Sequence, residues 1–132
     1  MIQLSNESLE WALKHVRRFY SSDFFPAPFE FEAISHQWNA IKARIKEIDL
    51  HEYIPRTPVA LLAPKPNGTF RVVHQLDPID AIIYAALVFE ISEAVENYRI
   101  PSSAGIACSY RIDIDVSGSF FSKDNERDVY NN

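Results

Sequence analysis

The first half of the chain places apolar residues at three- and four-residue steps, the spacing that puts them on one face of a helix. In residues 6–20 the apolar positions are Leu9, Leu13, Val16 and Tyr20. From about residue 30 to residue 48 they are Ile34, Trp38, Ile41, Ile45 and Ile48. The pattern therefore predicts two amphipathic helices, of which the first is capped by Ser5 or Asn6.

The pattern then changes to two short runs that are rich in branched and aromatic residues, residues 59–65 and 69–75. The tripeptide Pro66-Asn67-Gly68 lies between them. Proline presets the backbone of the first turn position, and asparagine and glycine tolerate the left-handed conformations that close a hairpin. These residues predict a β-hairpin.

A third helix is predicted directly after the hairpin. Asp77 is suited to cap it, Pro78 suits the first helical position, and the carboxylate of Asp80 favours the positive end of the helix dipole. The helical pattern continues to about Tyr98. Its first half, residues 81–89, is apolar on every face and is therefore expected to be deeply buried.

Composition is that of a globular domain, since 47% of the 132 residues are apolar and 23% are charged. The net charge is −5, and residues 67–132 carry ten acidic residues against five basic ones. Free-standing nucleic-acid binders usually have a basic surplus, so any phosphate contact must come from a local cluster. No apolar run approaches the length of a membrane span, and the N-terminus has no secretory signal. With a single cysteine, Cys108, the chain is expected to be cytoplasmic.

Residues 106–116 predict one or two strands with alternating faces, which would place Asp113 and Asp115 on the same side. Such a pair could hold Mg²⁺, although an exposed strand face near a turn is the commoner arrangement. Cys108 has an apolar setting and no identified base, which favours a buried structural thiol over a nucleophile. The histidines show no metal-binding spacing and are interpreted as surface or packing residues. They are His15, His36, His51 and His74.

Lys65 and Arg71 flank the turn of the predicted hairpin. Near the tip of a two-stranded ribbon, an ammonium group and a guanidinium group could hold a polyphosphate between them. On residue chemistry alone, an ordinary charged hairpin is the simpler interpretation.

The order of these elements resembles the N-terminal fingers region of bacterial reverse transcriptases, which are RNA-directed DNA polymerases. The resemblance covers about residues 54–112. Within this family, the chain is most similar to the group linked to bacterial phage defence. The motifs that carry it are Pro64-Lys65-Pro66-Asn67-Gly68-Thr69-Phe70-Arg71, the apolar helix from Asp77 to Glu96, and Ser109-Tyr110-Arg111.

The resemblance implies that Lys65 and Arg71 contact the triphosphate of the incoming nucleotide. It also implies that Arg111 lies near the path of the template or primer. The expected fold is α+β, a helix-rich fingers-like domain with one prominent β-hairpin. The expected division is an N-terminal helical region (1–53), the hairpin with the buried helix (54–112), and an acidic, irregular tail (113–132).

The chain departs from the family in the residues that carry polymerase chemistry. Palm aspartates hold the two metal ions that drive nucleotide transfer, and this sequence contains no Asp-Asp pair. The palm is expected to be absent, since the chain ends about where the first palm strand should begin. Asp113 and Asp115 are therefore interpreted as non-catalytic insert residues. No catalytic residue and no cofactor is assigned to this chain alone, and Mg²⁺ is expected only for a complete polymerase.

The expected function is that of an N-terminal fragment of a reverse transcriptase-like nucleotidyltransferase, with a role in antiviral defence. It would contribute nucleotide and template contacts without being catalytic alone, so whether this chain counts as an enzyme is left open. Nucleic acid and dNTP would be bound only together with a missing palm region or partner chain, and no membrane is involved. The alternative is a small α+β interaction module whose hairpin and aromatic loop dock a protein partner.

Overall fold

The computed structural model describes residues 3–20, 25, 28–101, 104 and 111–121. In chain order its elements are α1 (Asn6–Phe19), α2 (Glu30–His36), α3 (Trp38–Glu47), β1 (Val59–Pro64), β2 (Phe70–Gln75) and α4 (Pro78–Tyr98). Four helices and one antiparallel two-stranded sheet in these residues confirm the α+β class. Within the same ranges, every helix is too short or too polar to cross a bilayer.

Helix α1 begins as the sequence predicts, because the side chain of Ser5 caps it. The Ser5 hydroxyl accepts a hydrogen bond from the backbone N–H of Ser8 at 3.0 Å and thus satisfies one of the free donors of the first turn. Its apolar stripe is buried against α4. The buried hydrophobic residues of α1 are Leu9, Trp11, Ala12, Leu13 and Val16.

The sequence predicts a single helix over residues 30–48. This prediction is wrong, because the helix is interrupted at Gln37 and the chain forms α2 and α3 instead. Gln37 leaves helical geometry, with φ −108° and ψ 22°, and its carbonyl oxygen starts α3 by accepting from the N–H groups of Ala40 and Ile41. Side chains of α3 anchor its first turn to α1. Trp38 Nε1 and Lys42 Nζ both donate to Glu10 Oε1, at 2.9 and 2.6 Å.

Helix α4 is the central element of the core. Asp77 caps it by accepting from the N–H of Ile79 at 2.9 Å, and Pro78 occupies its first position, as the sequence predicts. Small residues on the side facing α1 allow the close approach that leaves Ile82 and Ala86 fully buried. Burial on every face over residues 81–89 was the expectation, but the Tyr84 residue is 63% exposed. The first half of α4 therefore has an outer face as well as a core face.

Residues 111–121 fold back onto α1 as a docked turn. Trp11 Nε1 donates to the Asp115 carbonyl oxygen at 2.7 Å, and His15 Nδ1 lies 2.7 Å from the Gly118 carbonyl oxygen. Gly118 has φ +91°, and a Cβ there would lie 2.9 Å from the backbone nitrogen of His15. Only glycine therefore permits this approach without displacing α1.

The strand expected over residues 106–116 is not formed in its described part, residues 111–116. Two backbone hydrogen bonds nevertheless join the arms of the turn, from Asp113 N–H to the Phe120 oxygen and from Asp115 N–H to the Ser119 oxygen. Cys108 and the Ser109-Tyr110 part of the family motif lie outside the described residues. His15 stacks on Trp11 with ring centroids 5.0 Å apart, which supports its interpretation as a packing histidine.

Amide exchange is expected to be slowest in the segment Ala81–Ala86 of α4 and much faster in β1 and β2. The helical segment is buried against α1, whereas a two-stranded sheet packed on one side at most is only marginally stable in water. Hydrogen–deuterium exchange followed by NMR would measure both. Exchange in Ala81–Ala86 as fast as in the hairpin would place the core elsewhere.

Candidate functional site

The β1–β2 hairpin has the turn that its sequence predicts. Lys65 N–H donates to the Thr69 oxygen at 2.7 Å, and Gly68 N–H donates to the Lys65 oxygen at 3.0 Å. Asn67 Oδ1 accepts from the Thr69 N–H and hydroxyl groups, at 3.2 and 2.7 Å. Gly68 has a backbone φ of +79°, which residues other than glycine and asparagine rarely adopt.

The strand register places Lys65 and Arg71 on one face of the hairpin tip. Arg71 lies opposite Ala63, and Lys65 follows Ala63 by two residues, so the alternation of a strand puts both cations on the Ala63 side. The Lys65–Thr69 hydrogen bond extends the ladder by one pair and keeps Lys65 in this register. Both residues are exposed, and diagonal neighbours of this kind lie about 7–8 Å apart. The structure thus brings the two predicted nucleotide contacts together.

Two carboxylates at the start of α4 hold the chain that enters β1. Asp80 is buried and accepts hydrogen bonds from the Tyr53 hydroxyl and from the Arg56 N–H, the latter at 2.8 Å. Arg56 also pairs with Asp77, with the guanidinium nitrogen 2.7 Å from the carboxylate oxygen. Burial, together with the hydrogen bond to Asp80, raises the pKa of Tyr53 to about 12. These contacts fix the base of the hairpin to the core.

Sequence reasoning missed this function of Asp80. The residue was interpreted only as a favourable charge in the first turn of a helix, because its partners are 24 and 27 residues away. The sequence did contain a signal for these contacts. Two carboxylates, Asp77 and Asp80, lie at the start of the helix, and a segment with Tyr53 and Arg56 precedes the hairpin. On the other side of the hairpin, the Tyr20 hydroxyl donates to the carbonyl oxygen of Leu76, so the chain leaving β2 is anchored as well.

The opposite face of the hairpin is apolar and exposed. The alternation that groups Lys65 with Arg71 places Leu62, Phe70 and Val72 on the other side. Between 57% and 63% of each of these residues is accessible to solvent. The hairpin is therefore two-sided, with cations at the tip of one face and apolar side chains on the other.

Arg111 lies elsewhere and has structural partners. One guanidinium nitrogen pairs with Glu96 Oε2 at 2.8 Å, and the other donates to the Ile100 oxygen. Glu96 lies near the C-terminal end of α4, whereas the hairpin joins the N-terminal end, and a helix of this length spans about 30 Å. Arg111 thus fastens the segment 111–121 to the far end of α4 and is not brought together with the base of the hairpin.

Asp113 and Asp115 are exposed, and Asp115 organises the docked turn. Asp115 Oδ1 accepts from the N–H and hydroxyl of Ser117, both at 2.7 Å, and from the N–H of Ser119 at 3.0 Å. These bonds, the Ser117 hydroxyl first among them, lower the pKa of Asp115. Among the described residues, no group of three histidine, cysteine, aspartate or glutamate side chains could hold a metal ion. Asp115 is thus a turn residue in this structure, and the interpretation of the pair as non-catalytic insert residues stays a prediction.

Comparison with known proteins adds no relative: no protein-family model, no curated protein and no solved structure matches this chain. The resemblance to reverse transcriptases accordingly rests on the motifs of residues 54–112.

Acid is expected to release the segment 111–121 through protonation of Glu96. Burial opposes ionisation of Glu96, but the Ile112 N–H and the guanidinium groups of Arg111 and Arg99 outweigh it and lower its pKa to about 2. Because this pKa is below the ordinary value of 4.5, the stabilisation is complete above about pH 4.5 and is lost as the pH falls toward 2. The contribution at neutral pH is on the order of 3 kcal/mol.

Chemical unfolding of the Glu96→Gln variant between pH 2 and 7 tests this expectation. The variant should have a lower free energy of unfolding at neutral pH and a flatter profile below pH 4.5. Glu93→Gln removes an exposed carboxylate from the same helix and is the matched control. Equal profiles for the two variants would show that Glu96 does not hold the segment.

Proposed function

We propose that this chain is the fingers portion of a reverse transcriptase-like nucleotidyltransferase. Its β1–β2 hairpin contacts the triphosphate of a nucleotide or the backbone of a template within a larger polymerase. The observation that carries the proposal is the placement of Lys65 and Arg71 on one exposed face of the hairpin tip. Location in the cytoplasm and a role in antiviral defence belong to the same proposal.

Two different cations on one face suit a polyphosphate. The guanidinium group of Arg71 can donate two parallel hydrogen bonds to one phosphate, and the ammonium group of Lys65 acts as a point charge on the next. A separation of about 7–8 Å lets both reach neighbouring phosphates without bringing the cations into contact. Since the chain as a whole is acidic, this local pair is what would attract an anion.

The anchoring of the hairpin base is a second observation that supports the proposal. Asp80 and Asp77 bind the chain before β1, and Tyr20 binds the chain after β2. A ribbon held at both strands carries its tip at a defined distance from the core. Binding then costs less conformational entropy, and the phosphates are aligned for a reaction carried out elsewhere.

Nucleotide transfer itself is assigned to the remainder of such a polymerase. The reaction needs two metal ions held by neighbouring carboxylates, which activate the attacking hydroxyl and stabilise the leaving pyrophosphate. In the part of the chain that the structure describes, the two aspartates closest in sequence are Asp113 and Asp115, and Asp115 is engaged in its own turn. This chain accordingly contributes binding.

A protein-interaction module is the second candidate function. The apolar face of the hairpin, with Leu62, Phe70 and Val72 exposed, favours it. In that case the cationic face would have no nucleotide to bind, and substitutions there would leave phosphate binding unchanged.

The isolated chain is expected to bind a dNTP–Mg²⁺ complex weakly through the hairpin tip. Titration followed by amide NMR should shift signals of residues 64–71, and Lys65→Ala or Arg71→Ala should each weaken binding about ten- to a hundredfold, as for a charge-assisted hydrogen bond. Lys46→Ala, which removes a lysine of α3 bonded to Asn6, is the matched control. Binding that survives both hairpin substitutions, in variants whose circular dichroism is unchanged, would argue for the second candidate.

On a primed template, the 132-residue chain alone is expected to show no Mg²⁺-dependent nucleotide incorporation. The reason is the absence from its sequence of an Asp-Asp pair, together with the use of Asp115 in a turn. Extension assays with Mg²⁺ and Mn²⁺ on DNA and RNA templates measure this. Extension that is abolished by Asp113→Asn would instead make Asp113 and Asp115 metal ligands.

A further inference from the structure

The outer face of α4 carries a continuous stripe of exposed apolar residues. Its positions are Tyr84, Val88, Ile91, Val95 and Tyr98. They follow one another at alternating steps of four and three residues, the heptad spacing by which one helix packs along another. All except Val88, which is half-buried, are more than 40% exposed, and Tyr98 reaches 95%. A helix face of this kind is normally covered by a partner.

A cavity opens beside the first half of this stripe. It has a volume of about 170 Å³, and its lining includes Phe19, Tyr20, Tyr84, Val88 and Phe120. Tyr84 and Val88 belong to both the stripe and the cavity, so a helix lying on the stripe passes its mouth. Apolar cavities of about 150 Å³ accept a benzene ring, so the space suits one aromatic side chain.

The stripe is complementary to itself. Ile91 is at its centre, and Tyr84 and Tyr98 each lie seven residues from Ile91, on opposite sides. When two copies of α4 pack antiparallel about a two-fold axis at Ile91, Tyr98 of each copy meets Tyr84 and the adjoining cavity of the other. Antiparallel packing also opposes the two helix dipoles favourably.

The area of the stripe fits a second copy. Fully buried tyrosines cover about 150–250 Å² each, so the two exposed tyrosines of both copies supply roughly 500–800 Å². With Ile91 and Val95 the total reaches the order of 1,000 Å², the lower limit for a specific interface.

We infer that the outer face of α4 is a homodimer interface, in which α4 of a second copy packs antiparallel along the Tyr84–Tyr98 stripe. Tyr98 of each copy fills the cavity beside Tyr84 of the other. This interface is independent of the proposed nucleotide contact, since it uses neither Lys65 nor Arg71. An interface at this lower limit of size is typical of weak association.

Sedimentation equilibrium of the chain from low micromolar to near-millimolar concentration tests the inference. A monomer–dimer equilibrium is expected, and Ile91→Glu should weaken it at least tenfold, because it buries two facing carboxylates at the two-fold axis. Tyr98→Ala should weaken it by emptying the cavity. Phe29→Glu adds the same charge at an 81% exposed residue just before α2 and should leave the dimer unchanged.

Disulfide trapping supplies a second test, which does not depend on a substitution that weakens the dimer. In a Cys108→Ser background, Ile91→Cys should form a covalent dimer on mild oxidation, because the two sulfur atoms meet at the axis, and Phe29→Cys should not. A monomer at every concentration, equal weakening by Ile91→Glu and Phe29→Glu, or no cross-linking through Ile91→Cys would each overturn the inference. Protection of the stripe only on addition of a different protein would assign it to that partner and overturn the inference too.

Discussion

The packing of α1 on α4 is the interaction on which the rest of this fold depends. Leu9 and Ala12 of α1, and Ile82 and Ala86 of α4, are all fully buried, and these two helices form the most extensive contact between helices in the described residues. Full burial of a leucine or isoleucine side chain contributes about 1.5–3 kcal/mol. Helices α2 and α3 join the same core through Phe31, Ile34, Trp38 and Ile45, whereas the base of the hairpin is attached through a few polar contacts. The docked turn adds the Phe120 ring to its hydrogen bonds with α1. The helix pair is therefore the platform, and the hairpin and the docked turn are attachments to it.

Carboxylates attach those elements at both ends of α4. Asp80 holds the chain before the hairpin at one end, and Glu96 holds the segment 111–121 at the other. Each has its oxygen atoms satisfied by several donors, which is the condition under which a carboxylate in a partly buried position stabilises a fold. Because each carboxylate accepts a backbone N–H as well as side-chain donors, each fixes the position of the main chain. This arrangement fixes the position of the base of an otherwise exposed hairpin relative to the core.

The elements were largely predictable from the sequence because their signals are local. Ser5, Asp77 and Pro78 mark helix starts by their own chemistry, and Pro66-Asn67-Gly68 marks the turn. The break at Gln37 was not predicted, and the helix that follows it is fixed by a long-range contact, the hydrogen bond from Trp38 to Glu10, 28 residues earlier. The same limit applies to the site. The common face of Lys65 and Arg71 follows from register, whereas the partners of Asp80 and Arg111 depend on how distant segments meet.

The register of the hairpin has a consequence for how it can meet other molecules. The Lys65–Thr69 pair is hydrogen-bonded, so the alternation of an antiparallel ladder turns Ala60, Leu62 and Pro64 toward the free edge of β1. Pro64 has no N–H, which leaves Ala60 and Leu62 as the only donors that a neighbouring chain could find along that edge. A third strand gains little by joining there, since prolines and short edges are how sheets avoid unwanted strand addition. The β1 edge is thereby a poor site for strand addition, while both broad faces of the ribbon stay available for recognition.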